Sequence, residues 1–226
     1  MLSGMTDWHS HILFGVDDGV PDVGESLEIL DAYASFGIRR VWLTPHIMED
    51  MPNTTDDLRQ RFNQLREAYS GPVELRLAAE NMIDPLFEKR LEEGDLLPIG
   101  DRGDHLLVET SYVNAPLRFR ELLREIKSKG YFPVLAHPER YRYMTEDDYR
   151  SLRAEEIRFQ TNLFSLVGIY GQDAARRASW LLRQGMIDIC GSDIHKASML
   201  RFFEEKIRAD KDLGSLASLS TPRTHP

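Results

Sequence analysis

The segment DWHSHILFGVDDG, near the start of the chain, concentrates side chains that can bind a metal ion. It places His9 and His11 two positions apart, and an extended strand directs side chains at that spacing to the same face. Two neutral imidazoles on one face can hold a single divalent ion. Asp17 and Asp18 follow them, and an aspartate pair before a glycine is also typical of an ordinary turn. The segment alone is therefore weak evidence for a metal site, which would also need ligands from other parts of the chain.

Further residues of metal-ligand type lie at or just after the C-terminal ends of strand-like runs. They are His46, Glu80, Glu109, His137, Asp193 and His195. Asp193 and His195 repeat, at the last strand, the two-residue spacing of the first histidine pair. His105 instead begins its run, so we expect it at the opposite end of the fold. Each residue alone has a plain structural explanation, such as a helix cap or a solvated strand end, and it is their shared position that favours a site.

The elements that must position these residues alternate between strand-like and helical segments. The strand-like runs are the one ending at residue 9 and residues 38–44, 73–80, 105–110, 131–137, 156–162 and 187–193. The helical patterns cover residues 23–36, 55–69, 85–93, 117–130, 164–184 (with breaks near Gly168 and Gly171) and 197–209. This alternation predicts parallel strands in an α/β protein. Seven such units favour a distorted (β/α)7 TIM-like barrel, with an open doubly wound sheet as the alternative.

A barrel would bring the scattered residues together, because all of its strand C-termini open onto one face. The first and last strands are neighbours in a closed barrel, so the two pairs with two-residue spacing would meet. A mixed set of imidazole and carboxylate ligands suits Mn, Fe or Zn ions. Five histidines and at least four carboxylates are too many for one ion. We therefore expect two or three divalent metal ions, with a carboxylate such as Glu80 bridging them.

Composition and charge restrict the class of protein further. The 226 residues, of which 42% are hydrophobic, suffice for one domain with a sizeable core, and we predict a single domain over residues 1–214. Residues 215–226 have no apolar periodicity and are predicted to form a flexible tail. The net charge of −9 disfavours nucleic acid as a partner. Without a signal-peptide pattern or an apolar run of about 20 residues, the sequence predicts a cytoplasmic protein with no membrane insertion.

Six segments, in the order in which they occur, resemble motifs of the PHP family, named for polymerase and histidinol phosphatase. They are DWHSHILFGVDDG, TPH at 44–46, AAE at 78–80, VET at 108–110, HPER at 137–140 and GSDIH at 191–195. Within the family, the chain is most similar to the bacterial metal-dependent protein-tyrosine phosphatases of capsule and exopolysaccharide loci. The resemblance implies the PHP fold, a distorted β/α barrel, with a trinuclear metal site.

The resemblance also implies which residues surround each metal. The first set is His9, His11, Glu80 and Asp193, the second is Glu80, Glu109 and His137, and the third is Asp17, His46 and His195. In the third set, Asp18 is the alternative to Asp17. Arg140 of the HPER segment is expected to bind the phosphate of the substrate, and Arg201 is the candidate for a second phosphate-binding arginine.

The function that this resemblance implies is hydrolysis of phosphotyrosine, with the tail of a capsule-locus tyrosine kinase as the expected partner. A small-molecule phosphatase acting on histidinol phosphate or a similar ester is the alternative within the same class. An alternative of another class is a metal-binding partner of a membrane kinase without catalytic turnover. Cys190 is not expected to be a nucleophile, because CGSDIHK ends in Lys196 where a Cys-x5-Arg phosphate loop requires arginine. The acidic surface also predicts that highly acidic peptides bind poorly except at the metals.

Overall fold

The computed structural model describes residues 4–209, in which parallel strands alternate with helices. The strands are β1 (Thr6–Ser10), β2 (Arg40–Leu43), β3 (His46–Ile47), β4 (Glu74–Leu77), β5 (Glu80–Met82), β6 (His105–Glu109), β7 (Phe132–Ala136), β8 (Arg158–Asn162) and β9 (Ile189–Gly191). The α-helices are α1 (Val23–Phe36), α2 (Thr55–Ala68), α3 (Pro85–Glu93), α4 (Phe119–Ser128), α5 (Glu146–Ala154), α6 (Leu163–Leu166), α7 (Gln172–Arg183) and α8 (Ser198–Ala209). None of these helices is long and apolar enough to span a bilayer. The predicted tail over residues 215–226 and the domain boundary at residue 214 lie outside the described residues.

Two strand positions of the barrel wall are each divided into two short strands. Strands β1, β2 and β4 pair in one parallel sheet, and β3, β5, β6, β7, β8 and β9 pair in another. Thr44 and Pro45 separate β2 from β3, and proline cannot donate a hydrogen bond to the sheet. Hydrogen bonds from Ala78 N to Leu43 O (2.9 Å) and from Glu80 N to Pro45 O (3.1 Å) bridge the interruption. The two sheets therefore form one continuous curved wall.

The last strand closes this wall against the first strand. Asp193 N donates to His9 O at 2.8 Å, and His11 N donates to Ile194 O at 3.0 Å. Gly191 lies so close to β1 that a Cβ atom there would be 2.4 Å from the Cβ atom of His9. The structure thus confirms the predicted TIM-like barrel, and it brings the two pairs with two-residue spacing side by side.

Local capping signals set the bounds of the first three helices. Asp22 caps α1 by accepting a hydrogen bond from Glu25 N at 3.1 Å, and Gly37 ends the helix with a left-handed φ of 86°. Thr54 and Asp84 cap α2 and α3 through their side chains in the same way. These signals are local and visible in the sequence, so the predicted bounds of all three helices agree closely with the observed ones.

Helix α5, between β7 and β8, is missing from the sequence prediction. It begins with a capping box, in which Thr145 Oγ1 accepts from Asp148 N at 3.3 Å and Asp148 Oδ2 accepts from Thr145 N at 2.8 Å. The Thr145 and Asp148 pair is the sequence signal that indicates the start of this helix. The predicted helical stretch over residues 164–184 divides into α6 and α7, because Gly168 and Gly171 between them have φ of 83° and 90°.

The hydrophobic core has an outer layer, between the strands and the helices, and an inner cluster inside the barrel. The inner cluster consists of Trp8, Trp42, Ala78, Ile99, Leu107, Val134, Ala136 and Ile189. Six of its members lie on β1, β2, β6, β7 and β9, while Ala78 and Ile99 lie between elements. The rings of Trp8 and Trp42 stack with centroids 5.9 Å apart. The inner cluster therefore fills the barrel below the C-terminal ends of the strands, and these ends are left to carry polar side chains.

Candidate metal centre

The barrel mouth formed by the C-terminal strand ends holds a dense cluster of histidine and carboxylate side chains. Three groups of described residues each have donor atoms that all lie within 4.8 Å of one another. Group A consists of His9, His11, Glu80 and Asp193, group B of His46, Glu80 and Glu109, and group C of His11, Asp18, His46 and His195. Because the groups share His11, His46 and Glu80, they form one continuous centre.

Group A has the spacing of ligands around a single ion. His9 Nε2 lies 3.1 Å from His11 Nε2 and 3.0 Å from Glu80 Oε2, and His11 Nε2 lies 3.2 Å from the same oxygen. Asp193 Oδ1 lies 3.3 Å from His11 Nε2. Tetrahedral bonds of about 2.0–2.1 Å to one ion place neighbouring ligand atoms roughly 3.3 Å apart. The observed distances are close to this value, and all four side chains are buried, so the donor atoms of group A fit a divalent ion.

Hydrogen bonds behind the histidines of group A direct their Nε2 atoms into the group. His9 Nδ1 donates to Gln160 Oε1 at 2.8 Å, and His11 Nδ1 donates to Asp17 Oδ2 at 2.8 Å. With the proton on Nδ1, each Nε2 lone pair is free for a metal. Gln160 is a single glutamine on a buried strand with no distinctive spacing, so the sequence alone does not predict its role.

The loop after β1 gives Asp17 and Asp18 different positions. The carboxylate of Asp17 is buried and accepts from His11 and from His46 N, the latter at 3.0 Å. Asp18 Oδ1 instead lies 3.5 Å from both His46 Nε2 and His195 Nε2, in group C. Asp17, the expected ligand, therefore hydrogen-bonds to His11, whereas Asp18, the alternative, supplies the carboxylate oxygen of group C. A hydrogen bond from His195 lowers the pKa of Asp18 to about 2, so this carboxylate is charged at neutral pH.

Group B contains a different histidine from the one expected there. His46 Nδ1 lies 3.0 Å from Glu109 Oε1 and 3.2 Å from Glu80 Oε2. These three atoms are buried, yet none is aligned for a hydrogen bond with another described residue. Short distances without hydrogen-bond alignment are expected where donor atoms point toward a shared cation, because buried polar atoms are otherwise paired. Group B therefore also fits a metal ion.

His137, expected to join Glu80 and Glu109, lies directly beside group B. Its Nε2 is 2.9 Å from Glu80 Oε1 and 3.8 Å from Glu109 Oε2. Its backbone has a φ of 31°, and its N–H donates to Gln160 Oε1 at 3.1 Å. Asp193 also has a positive φ, 56°. Such values are uncommon outside glycine, so the surrounding fold holds both site residues in strained conformations.

Opposite charges inside the centre shift the pKa values of its buried groups. Burial alone would lower the pKa of His9, but the negative charges of Glu80 and Asp193 raise it to about 9. Burial opposes the ionisation of these two carboxyl groups, yet the neighbouring histidines hold both of their pKa values well below the usual range. A buried centre with this many carboxylates is stable only with protons on its imidazoles or with a bound cation.

Arg140 lies at the edge of the centre, in the short 3-10 helix Pro138–Arg140 that follows β7. Its Nη1 donates to Asp193 Oδ2 at 2.8 Å. Its guanidinium lies between the rings of Tyr112 and Tyr170, with its carbon 4.3 Å from each centroid. This arrangement, the Arg140 sandwich, fixes the guanidinium next to a carboxylate of group A. Neither tyrosine belongs to a recognisable motif, so the sequence alone does not predict this arrangement.

Three other residues singled out in the sequence lie apart from these groups. Arg201 is on α8 with an exposed side chain, and no contact within residues 4–209 joins it to the centre, so its role stays a prediction. His105 begins β6, where its Nδ1 lies 2.5 Å from Asp104 Oδ1, at the opposite end of the barrel as expected. Cys190 is buried, and burial raises the pKa of its thiol, which opposes a role as a thiolate nucleophile.

Together the fold and the site define an α/β-barrel protein with a candidate multinuclear metal centre at its C-terminal mouth. The chain belongs to the CpsB/CapC family of capsular polysaccharide synthesis, which matches residues 5–201. This result confirms the resemblance to proteins of capsule loci that the sequence motifs indicate.

Individual relatives have names that specify an activity. The tyrosine-protein phosphatase YwqE of Bacillus subtilis is 28% identical over 219 residues, which cover 93% of this chain and 86% of YwqE. The putative tyrosine-protein phosphatase CapC of Staphylococcus aureus is 24% identical over 217 residues, covering 92% and 84% of the two chains. Crystal structures of YwqE and of CpsB from Streptococcus pneumoniae, described as unique metal-dependent tyrosine phosphatases, include a chain with a TM-score of 0.84 and 26% identity. That match covers 98% of both chains, so the whole barrel is shared.

Proposed function

We propose that this protein is a metal-dependent protein-tyrosine phosphatase, which hydrolyses phosphotyrosine to tyrosine and inorganic phosphate. The observation that carries the proposal is the position of Arg140, whose guanidinium binds Asp193 at the edge of group A. An arginine beside a multinuclear cation site suits a phosphate group, because both stabilise its charged oxygens. The names of the relatives support phosphotyrosine as the substrate class.

The proposal includes two or three divalent metal ions in groups A, B and C, with Mn, Fe or Zn as the candidates. The proposed ligands are His9, His11, Asp18, His46, Glu80, Glu109, His137, Asp193 and His195. Asp17 is proposed to orient His11 rather than to bind a metal. When bound, such ions lower the pKa of a water molecule toward neutrality and offset the charge of the phosphate oxygens.

The arginine and tyrosine side chains beside the metals are proposed to bind and orient the substrate. Arg140 donates hydrogen bonds to the phosphate oxygens, while Tyr112 and Tyr170 hold the plane of its guanidinium. Arg201 is proposed as the second phosphate-binding arginine. The leaving group is a phenol with a pKa of about 10, so its departure needs little protonation.

The proposed substrate is a phosphotyrosine on a flexible protein segment, with the tail of a capsule-locus tyrosine kinase as the candidate partner. The family's role in capsular polysaccharide synthesis supports this partner. The outer edge of the centre is accessible, since the Asp18 side chain is 62% exposed and that of His195 is 21% exposed. An accessible edge suits a phosphorylated side chain on a disordered segment. A single domain over residues 1–214 and a cytoplasmic location belong to the same proposal.

The test of substrate class compares kcat/KM for phosphotyrosine, phosphoserine and histidinol phosphate at identical metal loading. A preference of about tenfold or more for phosphotyrosine supports the proposal. The same preference for histidinol phosphate would identify a small-molecule phosphatase. No turnover by the metal-loaded protein on any of these substrates would identify a non-catalytic metal-binding partner.

The test of the phosphate site is Arg140→Ala. Losing a charge-assisted contact to the transition state should lower kcat/KM for an aryl phosphate about 30- to 1000-fold, or about 2–4 kcal/mol. Metal content and melting temperature should stay close to those of the wild type. Arg150→Ala, which removes a guanidinium paired with Glu146 and Asp147 on α5, is the control. A loss of activity below about threefold would show that Arg140 is a structural residue.

A further inference from the structure

A cavity of about 550 Å³ adjoins the metal centre on the side of Arg140. The Arg140 sandwich forms part of its wall, and Arg142 and Arg177 supply two further guanidinium groups. Residues 171–174, at the start of α7, also line the cavity. A phosphate bound at Arg140 would therefore lie at the edge of a space whose remaining cations have no part in the proposed hydrolysis.

Among the side chains that the structure describes, no carboxylate pairs with the guanidinium group of Arg142 or Arg177. Arg142 is exposed, and its described hydrogen bond is made by its backbone N–H. Arg177 donates one long hydrogen bond, 3.4 Å, to the backbone oxygen of Glu139. Arg118 and Arg150 in contrast each pair with more than one carboxylate. In a chain of net charge −9, two arginines without such partners on one cavity wall make a local positive surface.

The two acidic side chains of the cavity wall do not cancel this charge. Asp173 pairs with Arg176. Glu139 is buried, and its Oε1 accepts from Asn162 N at 3.0 Å. The N-cap of α7 is Gly171, which has no side chain to bind the first N–H groups of the helix. The positive end of the helix dipole therefore adds to the two guanidinium groups.

We propose that this cavity binds a second anionic group of the substrate, within a few residues of the target phosphotyrosine in the same peptide. The inference rests on the proposed function, because it needs a phosphotyrosine at the metals. An aspartate or glutamate carboxylate and the phosphate of a second phosphotyrosine share the chemistry that Arg142 and Arg177 recognise.

This proposal reverses the expectation from net charge that acidic peptides bind poorly. The sign of the cavity wall is opposite to that of the chain as a whole. Exposed charges more than about 10 Å apart are largely screened at 0.1 M salt. The local arginines therefore decide the affinity of a peptide segment that lies in the cavity.

The experiment uses the full metal-loaded chain and phosphotyrosine peptides that differ only in their flanks. One peptide has alanine at every flanking position, one has glutamates, and one has a second phosphotyrosine. For the wild type, we expect kcat/KM to be about five- to thirtyfold higher for the two acidic peptides than for the alanine peptide. In the double variant Arg142→Gln/Arg177→Gln this ratio should fall to about one. Arg183→Gln, on the same helix but outside the cavity lining, should keep the wild-type ratio.

A second readout does not need turnover. Fluorescence anisotropy gives the Kd values of the same peptides with a non-hydrolysable phosphonate at the target position, and the same ratios are expected. Every ratio compares peptides on one variant, so a general loss of activity or stability does not change it. A preference for only one of the acidic peptides would support the cavity and identify the anion as carboxylate or phosphate.

Two results would overturn the proposal that the cavity binds an anionic group. One is a wild-type ratio near one in both assays, and the other is a preference for acidic peptides that persists in the double variant. If the alanine peptide is then still hydrolysed, the phosphatase proposal stands without the cavity. If no phosphotyrosine peptide is hydrolysed, the proposed function fails, and the Kd ratio alone decides whether the cavity binds an anion.

Discussion

The interior of the barrel has an apolar half and a charged half, and the same strands build both. Strand β1 contributes Trp8 to the inner cluster and His9 to group A, and β6 contributes Leu107 and Glu109 in the same order. Neighbouring residues of β1 reach both halves because the register of β1 against β2 shifts along the strand. A residue that packs in the apolar half therefore lies only one or two positions along the strand from a candidate metal ligand.

The two halves differ in what their burial does to the free energy of folding. Apolar burial stabilises the fold by about 25 cal/mol per Å² removed from water. Burying Glu80 and Asp193 costs free energy unless a cation or a protonated histidine compensates their charges. Substitutions in the apolar half should therefore change stability with little effect on metal content. Substitutions in the charged half should change metal content with little effect on the stability of the metal-free protein.

Glu80→Gln should have the largest effect, because this carboxylate belongs to groups A and B and is fully buried. The substitution keeps the size of the side chain and removes its charge. We expect the loss of about one metal ion per chain and a decrease of about 1000-fold or more in kcat/KM for an aryl phosphate. Elemental analysis and steady-state kinetics measure the two effects. Full metal content with activity within tenfold of the wild type would remove Glu80 from the metal centre.

Leu107→Ala tests the apolar half on the strand that carries Glu109. Leu107 is fully buried in the inner cluster, so the substitution should lower the free energy of unfolding of the metal-free protein by about 2–5 kcal/mol. Chemical denaturation measures this change. Leu117→Ala, at a fully exposed leucine, is the control and should change stability by less than about 0.5 kcal/mol. If Leu107→Ala removes metal as strongly as Glu80→Gln, the two halves are not separable.

Gln160→Leu tests the hydrogen bonds that support the charged half. The substitution removes the oxygen that accepts from His9 Nδ1 and from the backbone N–H of His137. Supporting contacts of this kind are worth about 10- to 100-fold in metal affinity, and we expect a loss in that range. Competition with a chelator measures the affinity. Gln160→Glu retains an acceptor oxygen for His9 and His137 but cannot donate to Asn162 Oδ1, so it should recover only part of the affinity. Equal losses in both variants would argue against the role of the acceptor.

The smallest chemical change is the release of protons when metal binds. With a pKa of about 9, His9 in the metal-free centre carries a proton at neutral pH, and this proton must leave before Nε2 can bind a metal. The charge of Asp17 raises the pKa of His11, in the same group, well above its usual value despite burial, so His11 adds a second proton. Apparent metal affinity should therefore rise by at least about tenfold per pH unit from pH 7. Calorimetric titrations in buffers of different ionisation enthalpy count the protons released. An affinity that does not change between pH 7 and pH 9 would contradict this interpretation.

Much of the fold was predictable because its signals are local. Asp22, Thr54 and Asp84 start their helices through hydrogen bonds to N–H groups only a few residues away. Helix α5 has a signal of the same kind in its capping box, so its absence from the sequence prediction has no long-range cause. Strand bounds were less predictable. The predicted run over residues 38–44 ends before Pro45 and omits β3, and the predicted run over residues 73–80 spans β4 and the first residue of β5.

The sequence by itself determined that imidazoles and carboxylates stand at the C-terminal ends of successive strands, because strand periodicity and the alternation with helices are properties of short segments. Only the tertiary structure decided which of them meet: His46 with Glu109, and Asp18 rather than Asp17 in group C. Barrel closure brings His9 within 2.8 Å of Gln160, which is 151 residues away in the sequence. At such sequence separations, a shift of one residue in register or loop length changes which atoms come together, and no local sequence pattern predicts the outcome.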